Sequence, residues 1–169
     1  MIKVLLITNP KSGISSYEDS LNNVINKFKK YDIEFTLNKT EYAGHAVDLV
    51  KKTDLKQYNS VCAMGGDGTL FEVLNGMLAR GENERIPISI IPNGTGNSFM
   101  KTVGMENVDD AIGKISKNEP KKLDMMRAVC GENIYYSLNL IGWGMATDIS
   151  VLAEKLRVFG GQRYNIASI

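Results

Sequence analysis

The sequence predicts an α/β protein built on a Rossmann-like open parallel sheet, and three observations lead to that prediction. Over residues 1–120, short apolar runs alternate with segments of helical periodicity, which is the pattern of repeated strand–helix–strand units. Three of the apolar runs end in turns rich in glycine and small polar residues. Hydrophobic residues make up 43% and charged residues 23% of the 169 positions, as is ordinary for a globular chain.

The first elements follow in order from their periodicity. Ile2–Thr8 is a continuous apolar run, typical of a strand buried on both faces, and Pro10 lies just beyond its end. Tyr17–Lys30 carries apolar residues at the spacing of a helix. Ile33–Leu37 then predicts a second strand, and residues 43–53 predict a second helix.

The same alternation continues to about residue 120. Ser60–Met64 predicts a third strand, and Thr69–Ala79 predicts a third helix. Ile86–Pro92 predicts a fourth strand, after which a helix begins at Phe99. Val108–Lys117 predicts one more helix of this region.

Beyond Pro120 the rhythm changes. Two apolar stretches are joined by the turn sequence Gly131-Glu132-Asn133, which predicts an antiparallel pair of strands. Thr147–Arg157 predicts a helix after them. We therefore expect an α/β domain over residues 1–120 and the beginning of a β-rich second domain over residues 121–169.

Composition excludes several classes of function. The net charge of +1 gives no basic field for binding nucleic acid. Cys62 and Cys130 are far apart and the chain has a single histidine, which argues against a structural zinc site. Cys62 lies in an apolar run and is predicted to be a small buried hydrophobe. No stretch has the length of a membrane span, and a reducing cytoplasm fits the cysteine usage.

The three glycine-rich turns follow Thr8, Met64 and Pro92, each at the carboxyl end of a predicted strand. Ligands of open parallel sheets bind beyond these ends, so we expect the turns to converge on one crevice. Glycines let backbone N–H groups approach a phosphate, and a helix N-terminus adds partial positive charge. The turns together predict a nucleotide phosphate site.

Asp67 stands among the glycines of the second turn, where a carboxylate is a poor neighbour for a phosphate. It could bind Mg²⁺, accept a proton from a hydroxyl, or cap the following helix. Neither common nucleotide fingerprint is present, since the chain has no G-x-G-x-x-G after its first strand and no G-x-x-x-x-G-K-[ST].

The motifs "NPKSG", "GGDGTLFEVLNG" and "IPNGTGNSF" resemble, in this order and spacing, the catalytic domain of the diacylglycerol kinase and sphingosine kinase superfamily. The resemblance implies a fold shared with NAD kinase and ATP-dependent, Mg²⁺-assisted phosphorylation of a primary lipid hydroxyl at a membrane surface. It implies that Asp67 is the general base. Glu72 and Asn75 either orient Asp67 or the phosphates, or lie on the helix surface. Together with the turns, the resemblance implies nucleotide contacts at Asn9, Lys11, Ser12, Gly13, Thr40, Gly65, Gly66, Gly68, Thr69, Glu72, Asn75, Gly94, Thr95, Gly96, Asn97, Arg157 and Arg163.

The segment "IGWGMATDISVLAEKLRVFGGQRY" resembles the sphingosine and ceramide kinase branch of the superfamily. The resemblance implies that Arg157 and Arg163 reach the ATP phosphates, for which the planar guanidinium group is well suited. Read singly, each could also lie on a solvated helix face. Asp148 and Ser150 match positions of the lipid site. Sphingosine kinases have an acidic residue where Ser150 stands, which argues against sphingosine and leaves ceramide or an acylglycerol open.

Another departure concerns the metal. Bacterial diacylglycerol kinases have an aspartate of a metal-linked acidic network where Ser98 stands, although Asp124 matches a further acidic position of that pattern. Metal ligands therefore stay unassigned. The family also completes its lipid pocket with a second β-sandwich domain, so we expect this chain to be truncated. The strands within residues 123–144 would then present open edges, through which two copies could associate.

Two alternatives stay open. NAD kinase shares the sequence GGDGT and the same first-domain fold, but it lacks the third turn in this form. A segment that binds nucleotide without catalysing transfer is the other alternative. The lipid kinase interpretation implies a cytoplasmic protein with transient peripheral association at the membrane.

Overall fold

The computed structural model describes residues 1–12, 16–93, 98–105, 107–139, 141–142, 145–156, 162 and 166–167. Strands and helices alternate in its first part and give way to a hairpin and a helix. The elements are β1 (Ile2–Thr8), α1 (Tyr17–Lys30), β2 (Ile33–Lys39), α2 (His45–Lys52), β3 (Ser60–Gly65), α3 (Asp67–Leu78), β4 (Ile88–Pro92), α4 (Ser98–Thr102), α5 (Val108–Lys117), β5 (Met126–Cys130), β6 (Asn133–Ser137) and α6 (Met145–Lys155).

Four strands form a parallel sheet in the order β2-β1-β3-β4, which confirms the predicted α/β fold class. Strand β2 runs to Lys39, two residues beyond the predicted end, because it pairs with β1 as far as Thr8. Strand β4 begins at Ile88, two residues later than predicted. Pro87 has no N–H to donate, and its carbonyl accepts the N–H of Val61 at 3.0 Å.

Helices cover both faces of the sheet, and the alternation of side chains along β1 decides which residues face which layer. Val4 and Leu6 pack with α1 and α5, whereas Leu5 and Ile7 pack with α2 and α3. Cys62 on β3 is fully buried in the first of these clusters, as predicted. Burial raises the pKa of its thiol well above the ordinary range.

Helices α2 and α3 pack with their backbones unusually close. A Cβ added to Gly76 would lie 2.9 Å from the carbonyl oxygen of Val47 and 3.0 Å from its Cα. Just beyond the end of α3, Arg80 Nη1 donates to the carbonyls of Val50 (2.8 Å), Lys51 (3.0 Å) and Thr53 (3.1 Å). Gly76 therefore permits the contact, and Arg80 caps the C-terminus of α2.

Strands β5 and β6 form the predicted antiparallel hairpin, which turns through Gly131 with a φ of +61°. Val129 and Ile134 face each other across the hairpin and are both exposed. Helix α6 begins at Met145 and ends at Lys155, so the predicted end at Arg157 falls outside the described residues. None of the helices that the structure describes is both long and apolar enough to span a membrane.

The packing at Gly76 gives a stability prediction. We expect Gly76→Ala to lower the free energy of unfolding by about 1–3 kcal/mol, because the added methyl meets backbone that cannot move aside cheaply. Urea denaturation followed by circular dichroism measures the change.

Gly113→Ala is the matched control, since it also lies within a helix, α5, and an added Cβ there has nothing within 4 Å. Its expected effect is stabilisation by up to about 1 kcal/mol, from helix propensity alone. Equal effects of the two substitutions would contradict the proposed role of Gly76 in helix packing.

Candidate functional site

The strand ends that precede the three turns lie side by side at the carboxyl edge of the sheet. Asn9 N donates to the carbonyl of Met64 at 3.3 Å, and Asn93 N donates to the carbonyl of Gly65 at 3.1 Å. On the other side of β1, Thr40 N donates to the carbonyl of Thr8 at 2.8 Å. The expected convergence is thus present where each turn begins, whereas Gly13 and residues 94–97 lie outside the described part of the chain.

The first turn is shaped by Asn9. Its side-chain oxygen accepts the N–H of Lys11 at 2.9 Å, and its backbone oxygen accepts both the N–H and the hydroxyl of Ser12, at 3.0 Å and 2.8 Å. An asparagine that bonds the amide two residues on is an Asx turn. Asn9 therefore has a local structural role, and nucleotide contacts from Asn9, Lys11 and Ser12 stay predictions.

Different physical reasons explain why glycine stands at each of three positions in the second turn. A Cβ on Gly65 would lie 2.3 Å from Oγ1 of the buried Thr69, so the side chain of Thr69 requires glycine there. Gly66 is the N-cap residue of α3 and provides no side chain, whereas a Cβ on Gly68 would meet nothing within 4 Å. Gly68 is exposed, so that side of the turn is open to a ligand.

Asp67 is the first residue of α3, two residues earlier than the predicted helix start. Of the alternatives open for Asp67, the one in which it is the N-cap residue of this helix does not hold, because Gly66 occupies that position. Instead Oδ1 of Asp67 accepts the N–H of Phe99, in the first turn of α4, at 3.4 Å. The half-buried carboxylate thus joins the second turn to the helix that follows the third turn.

Phe99, whose N–H bonds Asp67, belongs to a small apolar cluster. Leu70 of α3, Ile90 of β4 and Phe99 and Met100 of α4 are buried against one another, and Leu138 packs on their edge. Phe99 therefore belongs to this cluster through its ring and contacts Asp67 through its backbone. The sequence showed Phe99 only as a helix start, and an aspartate partner for its amide is a tertiary feature that no local pattern signals.

The carboxylate of Glu72 is bonded to the backbone at the start of α2. Its Oε1 accepts the N–H of Gly44 at 2.9 Å and its Oε2 accepts the N–H of Ala46 at 3.1 Å. Gly44 is the N-cap residue of α2, with a φ of +88°, and has no side chain to cap the helix. Glu72 therefore caps α2 from the neighbouring helix and holds the loop that begins at Thr40.

The same loop contains an aromatic pair. The rings of Tyr42 and His45 stack at a centroid distance of 4.4 Å and an interplanar angle of 9°. His45 Nδ1 accepts the N–H of Glu41 at 3.1 Å, and the Tyr42 hydroxyl donates to Asp48 at 3.2 Å. Partial desolvation and the nearby Asp48 carboxylate raise the pKa of Tyr42.

Asn75, two turns along α3 from Asp67, is occupied by backbone groups. Its amide bonds both the N–H and the carbonyl of Tyr136, each at 2.9 Å, and also the carbonyl of Phe71 at 2.8 Å. The predicted contact of Asn75 with nucleotide has no support from this geometry, which directs the side chain toward β6.

The last predicted site residues are only partly described. Asp148 and Ser150 lie on α6 and are both exposed, but residues two apart do not share a helix face. Arg157 and Arg163 lie outside the described residues. Over the ranges that the structure describes, no group of three or more Asp, Glu, His or Cys side chains is arranged to hold a metal ion.

The capping role of Glu72 can be tested by removing its charge. Glu72→Gln keeps one acceptor oxygen but replaces the other with an amide donor, which faces a backbone N–H. We expect a loss of about 1–3 kcal/mol in the free energy of unfolding, and faster hydrogen exchange at Gly44 and Ala46.

Glu34→Gln on β2, an exposed glutamate, is the matched control and should change neither quantity. Native exchange rates at both amides in Glu72→Gln would contradict the capping role.

Comparison with known proteins assigns the family. The chain matches the diacylglycerol kinase catalytic domain over residues 3–128. It is 30% identical to sphingosine kinase 2 of Arabidopsis thaliana over 99% of this chain and 37% of that protein. It is 31% identical to a diacylglycerol kinase of Bacillus subtilis over 96% of this chain and 52% of that protein.

A crystal structure of a diacylglycerol kinase from Bacillus anthracis superposes with a TM-score of 0.64 and 31% identity, over 73% of this chain and 44% of that one. The chain thus spans about a third to a half of the length of these relatives. The resemblance found in the three turn motifs is confirmed, and the chain belongs to the diacylglycerol kinase catalytic domain family.

Proposed function

We propose that this chain carries the nucleotide-binding and catalytic part of a lipid kinase, which transfers the γ-phosphoryl group of ATP to a primary hydroxyl of a sphingoid or acylglycerol lipid. The observation that carries the proposal is the position of Asp67. Its carboxylate lies at the first residue of α3 and accepts the N–H of Phe99, between two turns at the strand ends. Relatives named as sphingosine and diacylglycerol kinases support this reaction class.

The ATP phosphates would lie against the N-terminus of α3. The first amides of a helix have no partner within the helix, and the N-cap residue Gly66 has no side chain that could bond them. These amides and the helix dipole favour an anion, and Gly68 leaves open space beside them. Lys11, exposed in the first turn, and the arginines at positions 157 and 163 would add positive charge around the phosphates.

Asp67 would accept the proton of the lipid hydroxyl. As that proton leaves, the lipid oxygen forms a bond to the γ-phosphorus and the bond from this phosphorus to the leaving oxygen of ADP breaks. Phe99 orients the carboxylate for this task by donating its N–H to Oδ1. Most of the rate would come from positioning and from charge stabilisation by backbone amides.

Mg²⁺ would neutralise charge on the phosphates when it binds together with the nucleotide. Two carboxylates stand in the three turn motifs, and Glu72 is bonded to the backbone amides of Gly44 and Ala46. Asp67 would therefore be the residue of these motifs that reaches the ion. Proteins hold Mg²⁺ through one or two carboxylates together with substrate phosphates, which a single aspartate suits.

For the acceptor, ceramide or an acylglycerol is favoured over sphingosine. Asp148 is exposed on α6 and could bond a lipid hydroxyl, whereas the neutral Ser150 does not pair with an ammonium group. The enzyme would meet its lipid from the cytoplasm, by transient association with the membrane surface, and two copies could associate through the exposed hairpin.

A second candidate is a nucleotide-binding segment that does not catalyse transfer. It is favoured by coverage, since the chain matches only 37% of the plant sphingosine kinase and 52% of the bacterial diacylglycerol kinase. Groups that bind the acceptor could lie in parts of those proteins that this chain does not match.

The test is transfer of label from ATP in the presence of Mg²⁺ to sphingosine, ceramide, diacylglycerol, monoacylglycerol or NAD. It compares this chain and the product of its complete reading frame with their Asp67→Asn variants. We expect label in one lipid, and a loss of roughly 10²–10⁴-fold in Asp67→Asn with ATP binding retained, because the general base alone is removed.

Asp54→Asn is the control, since Asp54 is exposed and the oxygen that accepts the N–H of Lys56 persists in asparagine. Label in NAD would overturn the lipid assignment. ATP binding without transfer by either length would favour the second candidate.

A further inference from the structure

The side chain of Asn75 bonds strand β6 in the way that a neighbouring strand would. Nδ2 donates to the carbonyl of Tyr136 at 2.9 Å, and Oδ1 accepts the N–H of the same residue at 2.9 Å. Two residues of an antiparallel ladder exchange hydrogen bonds with this reciprocity. The other hydrogen of Nδ2 is used within α3, where it bonds the carbonyl of Phe71 at 2.8 Å.

This arrangement explains why an asparagine stands there. Asparagine is a weak helix former, yet it occupies the third turn of α3. Its carboxamide places one donor and one acceptor side by side, as a backbone peptide does. Leucine has a similar size but neither group, and aspartate keeps the acceptor while placing charge beside two carbonyl oxygens.

The bonded strand continues into the cluster that supports Asp67. Ser137 is buried, and Leu138 packs against the cluster of Leu70, Ile90, Phe99 and Met100. Phe99 in turn donates its N–H to Asp67. A second contact between α3 and the hairpin comes from the rings of Phe71 and Tyr135, which stack at 6.5 Å.

We propose that Asn75 is a positioning residue, which locks β6 onto the helix that carries Asp67 and so sets the hairpin relative to the catalytic carboxylate. The inference rests on the proposed function. It replaces the expected contact of Asn75 with nucleotide, since the donors and the acceptor of its amide are directed at backbone groups. Loss of the lock would impair use of the acceptor lipid and leave ATP binding intact.

The test uses the product of the complete reading frame with Asn75→Leu and Asn75→Asp. Hydrogen exchange at the Tyr136 amide reports the lock directly, and the amide of Cys62 in β3 is the internal reference. ATP binding is measured with a non-hydrolysable ATP analogue and Mg²⁺. Steady-state kinetics then give KM for the lipid, KM for ATP, and kcat per folded molecule.

In Asn75→Leu we expect exchange at Tyr136 to be roughly tenfold faster or more, with exchange at Cys62 unchanged. The dissociation constant of the ATP analogue should stay within about twofold, and kcat/KM for the lipid should fall roughly tenfold or more, since small displacements of reacting groups have large kinetic effects. Asn75→Asp keeps the acceptor for Tyr136 and should give intermediate values. Asn22→Leu, an exposed asparagine on α1, is the control and should match the unmodified protein.

Weaker binding of the ATP analogue with native exchange at Tyr136 would overturn the inference and restore a nucleotide contact. Faster exchange with unchanged kinetics per folded molecule would overturn the positioning role, because a residue that only stabilises the fold changes the folded fraction and not kcat/KM. If Asn75→Leu fails to fold, Asn75→Asp decides the same comparisons. If the unmodified protein transfers no phosphate, the proposed function fails and takes the positioning role with it, while the exchange and binding measurements still decide the lock.

Discussion

Helix α3 has to satisfy different partners on several of its faces, and the rest of the structure depends on how it does so. Glu72 and Gly76 lie four residues apart on one face of the helix, and Arg80 follows just beyond its C-cap residue Ala79. These three residues contact α2. Another face packs Val73 and Met77 against the sheet, and Asn75 faces the hairpin.

This constraint explains why the polar residues of α3 are not a solvent face. A helix with interspersed polar residues is normally read as amphipathic, with its polar side in water. Here Glu72 accepts hydrogen bonds from two backbone amides at the start of α2, and Asn75 bonds the backbone of β6. Each of these polar side chains thus bonds backbone groups of α2 or β6 that belong to a neighbouring element of the same chain.

The site at the strand ends follows from the same helix. Asp67 is its first residue, so the direction of α3 sets where the carboxylate lies relative to the turns. Phe99 N–H and the cluster beneath it join that carboxylate to β4 and α4. On the other side, Glu72 holds the loop from Thr40 to Gly44 against α3. Helix α3 therefore fixes the relative positions of parts of the site that are distant in sequence.

Sequence patterns were sufficient to predict the type and the order of the main strands and helices along the chain. Apolar runs and helical spacing are local signals, so Tyr17–Lys30 and Val108–Lys117 were predicted with their observed bounds. The turns were also local, because glycine next to a strand end is a signal in itself. The start of α3 was missed by two residues, since Asp67 after a glycine is also a plausible cap.

The partners of the site residues could not be predicted in this way. Gly65 and Gly68 look alike in the sequence, yet one is required by the side chain of Thr69 and the other has open space around its missing Cβ. The family resemblance placed Glu72 and Asn75 near Asp67 and the phosphates, with a position on the helix surface as the alternative. Apart from the carbonyl of Phe71, their backbone partners are 26 to 61 residues away, and no periodicity connects such positions.

Helix α2 shows how far this dependence reaches. It has eight residues, which is too short to be stable alone, and its N-cap residue is a glycine. Glu72 places negative charge at its N-terminus and Arg80 places positive charge at its C-terminus, so both ends of its dipole are complemented by α3 and the turn that follows it. Within the described chain, Nε of Arg80 is buried without a hydrogen-bond partner, a penalty that the three carbonyl bonds of Nη1 offset. The loop that begins at Thr40 leads into α2, and Arg80 holds the other end of that helix. A residue as remote as Arg80 therefore helps to determine the shape of the site.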